Sequence, residues 1–417
     1  MPAPLGTTLR RLMAAIGIAV LAAFAMPTLS TRAAAQTFTR IADTQTVIPG
    51  GGGRYSLFAD ARSIDADSVA FYAFHDGGGS GIYLFRDGGL SVIADTGTPV
   101  PGTSDTFTTF FDVSVDRGFV VFTGGWPGPG GGCAFSGSEG VFARKKSGGA
   151  VRTIVTSLTE PENCYHGVEF AQGVIAIGGG IDPVDVFHNH SESILATKRP
   201  GNANVFFDTT TPKPGGGTFA GYDQDLAIRG GALLFAEVVP NTVGAVAGIY
   251  TVRNDGAGPV RVVDDSTLIP GTTETFNNIA SADWDGTEVG FVGRDSGNRT
   301  ALYAGTSPAD LRVVVDRTTP VPGQGVNFLG LSNPMAYDAG VFAFSGFWAG
   351  SGAGLFTESS GEVEAVLVKG DLLDGRTVDQ AFCRPQNKRG DRLIADVRFQ
   401  NGDRGLYLVD LGASGAR

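Results

Sequence analysis

Short apolar runs, six to eight residues long, recur along the chain between turns of Gly, Asp, Asn and Pro. The clearest are SVAFYAF (68–74), FVVFTGG (119–125), GVIAIGG (173–179), ALLFAEV (232–238), EVGFVGR (288–294), VFAFSGF (341–347) and RLIADVRF (392–399). They are too short for helices and rich in Val, Ile and Phe, so each reads as a β-strand. Within one unit the order is FDVSVD (111–116), FVVFTG (119–124), GVFARK (140–145) and VRTIVT (151–156). Four short strands joined by tight turns predict an antiparallel sheet of about fifty residues.

The unit repeats. An apolar pair, Asp and then T-x-x-P-G or a relative appears at 41–50, 93–102, 206–215, 262–271 and 314–323, with degenerate copies at 154–163 and 367–375. A Gly-aliphatic-aromatic triplet recurs between these copies, as in GIY (81–83), GVF (140–142), GLF (354–356) and GLY (405–407). Seven copies in constant order predict repeated supersecondary units. Fifty residues is the size of a propeller blade, whereas a β-helix coil needs about twenty.

The ends sharpen this reading. The chain opens on a lone outer-type strand near 38–44 and closes on three strands (377–383, 391–399, 404–411) without a fourth. One plus three completes a blade, and such closure removes an exposed sheet edge. The expected fold is an all-β, seven-bladed β-propeller with four antiparallel strands per blade, over residues 36–417 as a single domain.

The segments DADSVAF (65–71), DRGFVVF (116–122), DGTEVGF (285–291) and DAGVFAF (338–344) carry a further pattern. In them the chain resembles a group of exported bacterial tandem-repeat proteins with N-x-x-G-x-x-A-F repeats, here with Asp in place of the leading Asn. The resemblance implies an exported β-propeller and brings no catalytic residue with it.

The N-terminus adds an address. Arg10 and Arg11 precede an apolar stretch that ends in Ala33-Ala34-Ala35, the pattern of a signal peptide over residues 1–35. A membrane anchor fits less well, since Pro27 interrupts the run and a small-residue cleavage site follows. The mature protein is then expected to be periplasmic or extracellular, without a membrane span, and monomeric. The arginine pair leaves the export route open between the general and twin-arginine systems.

Composition removes other classes. With 63 Gly, 28 Phe and 18% charged residues among 417, the chain is neither a coiled coil nor disordered. Loss of Arg10, Arg11 and Arg32 with the signal takes the formal charge from −11 to −14. That field repels nucleic acid and polyanionic sugars. Asp43, Asp95, Asp208, Asp264 and Asp316 admit a calcium reading, but an Asp before Thr and Pro-Gly more simply caps its own turn.

Candidate chemistry falls on one face, where the links between blades and the loops between second and third strands emerge. All four histidines are placed there: His75, His166, His188 and His190. Tyr165, Trp126 and Asp185 join them. Cys133 and Cys164 meet on the same face and are expected to form a disulfide, leaving Cys383 as a buried thiol. Three readings stay open for the histidine group. It is a polar rim without chemistry; or a divalent-metal site at His188, His190 and Asp185; or a cleft with Tyr165, His166, His188 or His190 as base. In the last, Trp126, His75 and Asp185 contact ligand.

No G-x-S-x-G, phosphate-binding loop, H-E-x-x-H or cofactor signature is present. The sequence therefore points first to a binding or interaction module for a glycan or protein ligand. The other reading is a polysaccharide-active, lyase-like enzyme.

Overall fold

The computed structural model describes residues 36–128, 137–158, 164–180, 190–191, 193–197, 204–223, 226–238, 246–253 and 257–412. Among them every regular element is a β-strand, and no helix is long and apolar enough to cross a membrane. Strands pair antiparallel in chain order. The first strand of a set packs on the first strand of the next: Tyr55–Ile64 on Thr109–Asp116, that strand on Cys164–Ala171, and Asn278–Trp284 on Phe328–Asp338. These are the inner strands of a β-propeller arrangement.

The predicted closure is present. Thr37–Asp43 pairs antiparallel with Arg404–Asp410, with Phe38 opposite Val409 and Ala42 opposite Leu406. The count of seven separate sheets is corrected, because the described strands form six hydrogen-bonded sheets. Four have four strands, the closing sheet has six, and one has ten. The ten-stranded sheet contains two four-strand sets, 227–264 and 278–315. They join where Val246, on the third strand of one, comes opposite Ile279, on the inner strand of the other.

Hydrophobic clusters fill the gaps between consecutive sets. One holds Ile82 and Ile93 against Val113 and Phe122. Another joins Ile41, Ile394 and Leu406 of the closing sheet to Phe71 and Tyr83 of the first. At the heart of five gaps is the same perpendicular aromatic pair. Tyr55–Tyr83, Phe107–Phe142, Phe219–Tyr250, Phe276–Tyr303 and Phe328–Phe356 have centroids 4.8–5.0 Å apart and interplanar angles of 85–89°. Edge-to-face contacts of this kind add about 0.5–1.5 kcal/mol each beyond area burial.

In four of the five a glycine makes room for the pair, Ala301 standing in its place before Tyr303. The aromatic ring of the Gly-x-aromatic triplet folds back over the glycine two residues earlier. A Cβ on Gly140 would lie 2.7 Å from the Val155 carbonyl oxygen and 3.1 Å from the Phe142 ring. Gly81 and Gly248 are equally confined, against Tyr83 and Tyr250.

The repeated Asp caps its turn, as the simpler reading had it. Asp95 Oδ1 accepts from Gly97 N at 3.0 Å and from Thr98 Oγ1 at 2.8 Å, and Thr98 Oγ1 accepts from Asp95 N. Asp43, Asp208, Asp264 and Asp316 repeat the arrangement. The Thr210 hydroxyl hydrogen bond, opposed by slight burial, holds the Asp208 carboxyl below its usual range.

Candidate functional site

On the loop-bearing face, His75 ends the strand Ser68–His75, and its Nε2 meets the Tyr83 hydroxyl. Burial pushes the imidazole below its usual range, against the Asp95 and Asp76 charges. Burial and the Asp95 charge push the Tyr83 phenol up. The pair holds a protonated phenol against the imidazole, and the half-exposed His75 ring is the part able to meet a polar ligand or take up a proton.

Two predicted site residues are turned inward. Trp126 ends the strand Phe119–Trp126 at 1% exposure, with its ring 5.8 Å from Phe142 at 72°. It packs the core, so the expected stacking platform is corrected. Tyr165 is fully buried in the cluster with Val121, Val141 and Ile177. A phenol there cannot reach a polymer at the surface, which removes it as a base. The strand Cys164–Ala171 begins where a surface link was expected, and its alternation carries Tyr165 into the core.

The remaining candidates are described less completely. His188, Asp185 and Cys133 lie outside the described residues, so the metal site and the disulfide do too. The backbones of Cys164 and His166 belong to that inner strand, with a register shift between Tyr165 and Gly167. His190 was expected in a loop, but His190–Ser191 pairs with Tyr222–Asp223. Among the described residues no group of three His, Cys, Asp or Glu could hold a metal ion. Cys383 is the expected buried thiol. It donates to the Ala343 carbonyl, and burial pushes its pKa up to about 12.

What the sequence reading missed is the centre of the ring. Inner-strand side chains accept hydrogen bonds from the backbone of the next inner strand. Ser63 Oγ accepts from Val115 N at 3.1 Å, Ser114 Oγ from Phe170 N at 2.9 Å, and Ser281 Oγ from Met335 N at 3.2 Å. Asp112 accepts from Val168 N, Asp116 from Gln172 N, Asp283 from Tyr337 N and Asp338 from Gly390 N. The signal was available: Asp112-x-Ser114-x-Asp116 and Ser281-x-Asp283-x-Asp285 alternate polar residues along strands that are otherwise apolar.

These groups are deep. Burial raises the Glu169 and Asp283 carboxyls, although the Arg229 guanidinium, 3.3 Å from Glu169, opposes it. Asp112 lies among protein atoms yet keeps some solvent contact, and burial pushes it up to about 7. Lys388 Nζ donates to the Asp338 and Gly390 carbonyls, at 2.8 and 2.6 Å, and burial lowers its pKa. Gln386 crosses this centre. Its backbone N donates to Asp283 Oδ2 at 2.9 Å and its side-chain amide reaches the Leu226 carbonyl. The 383–387 segment is a stopper between non-adjacent sets of strands.

A model of a family of unknown function matches residues 29–157 and 164–387. No curated protein matches the sequence. Among solved structures, the β-propeller domain of the trilobed protease from Pyrococcus furiosus is similar at 10% identity and a TM-score of 0.47. That likeness covers 86% of this chain and 96% of that one. The acylaminoacyl peptidase of Pyrococcus horikoshii is 11% identical with a TM-score of 0.52, over 85% of this chain. The present chain spans only 50% of the peptidase's length. An uncharacterised Listeria monocytogenes protein is 10% identical, with a TM-score of 0.43, over 82% of this chain and 91% of that one. Identities this low speak to the fold alone.

Proposed function

The chain belongs to DUF7453, a family of unknown function, and we propose that it is an exported binding module whose loop-bearing face takes a glycan or protein ligand. One observation carries this reading. The segment at Gln386 crosses the centre of the ring, which favours the outer loops as the ligand surface. The His75 imidazole, held from beneath by the buried Tyr83 hydroxyl, supplies a polar contact there.

Residues 1–35 act as the signal in this proposal, and a Cys133–Cys164 disulfide staples the long loop to the following link. The ring is read as seven sectors, with the ten-stranded sheet counted as two. The hydrophobic cluster between its two sets, with Leu234 and Ile249 against Ile279 and Phe291, supports that count. It is built like the clusters between separate sheets.

The test is a glycan array and a co-purification with the exported protein, each repeated with His75→Ala and Tyr83→Phe. A specific ligand weakened by both substitutions supports the reading. A ligand indifferent to both, but lost when Gln386 is replaced, places binding in the centre and overturns it.

A polysaccharide lyase is the second reading, favoured by the neutral His75 imidazole as a proton acceptor. Ultraviolet absorbance of unsaturated uronate products, across a panel of uronate polymers, decides it. A flat trace on every polymer removes the lyase.

A further inference from the structure

A recess of about 360 Å³ lies on the opposite face, where turns between first and second strands and between third and fourth strands emerge. It opens between the outer strand Pro259–Asp264 and the hairpin that joins Trp284 to Val289. The floor is apolar: Val262 and Val289 are 1% exposed and Trp284 is 4% exposed. Val260, 53% exposed, forms an apolar wall, and Thr287 and Thr306 lie at the rim, where the Thr306 hydroxyl donates to Asp310 at 2.5 Å. The volume falls within the range of about 300–1,000 Å³ usual for small-molecule sites.

Arg253 is the one charged residue among the described lining, and the acid beside the rim, Asp310, is held by the Thr306 hydroxyl. Nearby Arg261 is bound to Asp264 at 2.7 Å, whereas Arg253 makes no ion pair among the described residues. In a chain of formal charge −11, a guanidinium without an ion pair among the described residues stands beside an apolar floor. A guanidinium presents a planar fork of donors matched to a carboxylate.

We propose that this recess binds a small organic carboxylate with an apolar body, the carboxylate on Arg253 and the body against Val260 and Trp284. The site is separate from the loop-bearing face and does not depend on the function proposed for it.

The test is calorimetric titration of the full chain, with tryptophan fluorescence in parallel, using 3-phenylpropionate, octanoate and the uncharged 3-phenylpropionamide. The proposal expects saturable binding of both acids and binding of the amide weaker by about tenfold. Arg253→Ala weakens the acids by a similar factor and leaves the amide unchanged. Thr287→Trp, which fills the mouth, abolishes binding of all three. Both positions are exposed, so each variant should keep the parental Tm. Three results overturn the proposal: no saturable binding of either acid up to about 5 mM, equal affinity for acid and amide, or affinities unmoved by Arg253→Ala or Thr287→Trp.

Discussion

The backbone N–H of Gln386 donates to Asp283 Oδ2 at 2.9 Å, joining residues 103 positions apart across the middle of the ring. Its side chain continues to the Leu226 carbonyl, 160 positions away. Neither partner belongs to a neighbouring sheet, so this segment ties the far sides of the propeller together.

Gln386→Ala removes the side-chain bond and leaves the Leu226 carbonyl without that partner. A lost hydrogen bond with a stranded acceptor costs about 1–2 kcal/mol. Urea denaturation should show a lower midpoint with an unchanged slope. An unchanged midpoint would mean that the stopper does not hold the ring together.

Asp112 predicts a pH dependence. Its folded-state pKa of about 7 lies above the ordinary carboxylate value. Its contribution to stability is therefore present below about pH 4 and lost as pH rises through about 7. Asp112→Asn should flatten the fall in Tm between about pH 4 and about pH 7. Asp208, held below its usual range, acts the other way. It gives up its contribution only as pH falls below about 4, so the two effects occupy different windows.

Gly140→Ala places a methyl group 2.7 Å from the Val155 carbonyl. Overpacking against backbone costs about 1–3 kcal/mol. The same change at Gly148, which has open space but a φ of +97°, tests backbone strain alone. Comparing the two by thermal unfolding separates close approach from conformation.

Much of the fold was legible because strand period, turn chemistry and repeat spacing all point the same way. The five Asp turns follow directly from the repeated T-x-x-P-G segments, and four of the five perpendicular aromatic pairs use a Gly-x-aromatic triplet, the fifth using Ala301-Leu302-Tyr303. The sheet count was not legible, since one bridge between Val246 and Ile279 leaves no mark in the pattern. Trp126 was misplaced because its strand runs two residues past FVVFTG, and alternation then turns the ring inward. The stopper at Gln386 was invisible for a different reason. It is made of contacts between distant segments that no local spacing encodes.

The junction between the closing sheet and the first sheet holds a buried ion pair. Arg62 Nη2 lies 2.7 Å from Asp396 Oδ2, with side-chain exposures of 0% and 9%. Arg62 Nη1 and Asp396 Oδ1 have no hydrogen-bond partner among the described residues. Asp396→Ala strands the guanidinium and should cost about 3–5 kcal/mol. The double change Arg62→Met with Asp396→Leu should recover most of that loss, because two incompletely satisfied charges give way to apolar packing. Equilibrium unfolding of all three variants checks both statements.

The assignment of loops to faces rests on the first strand lying beside the last. Thr39 and Leu408 are cross-strand partners, and cysteines at such positions fall within the Cα separation a disulfide accepts, about 4.4–6.8 Å. With Cys133, Cys164 and Cys383 replaced by Ser, Thr39→Cys/Leu408→Cys should oxidise rapidly to an intramolecular disulfide. Peptide mass mapping would identify it, while Thr39→Cys/Val313→Cys stays reduced. Failure of the first pair to couple, or equal coupling of both, would contradict the closed ring.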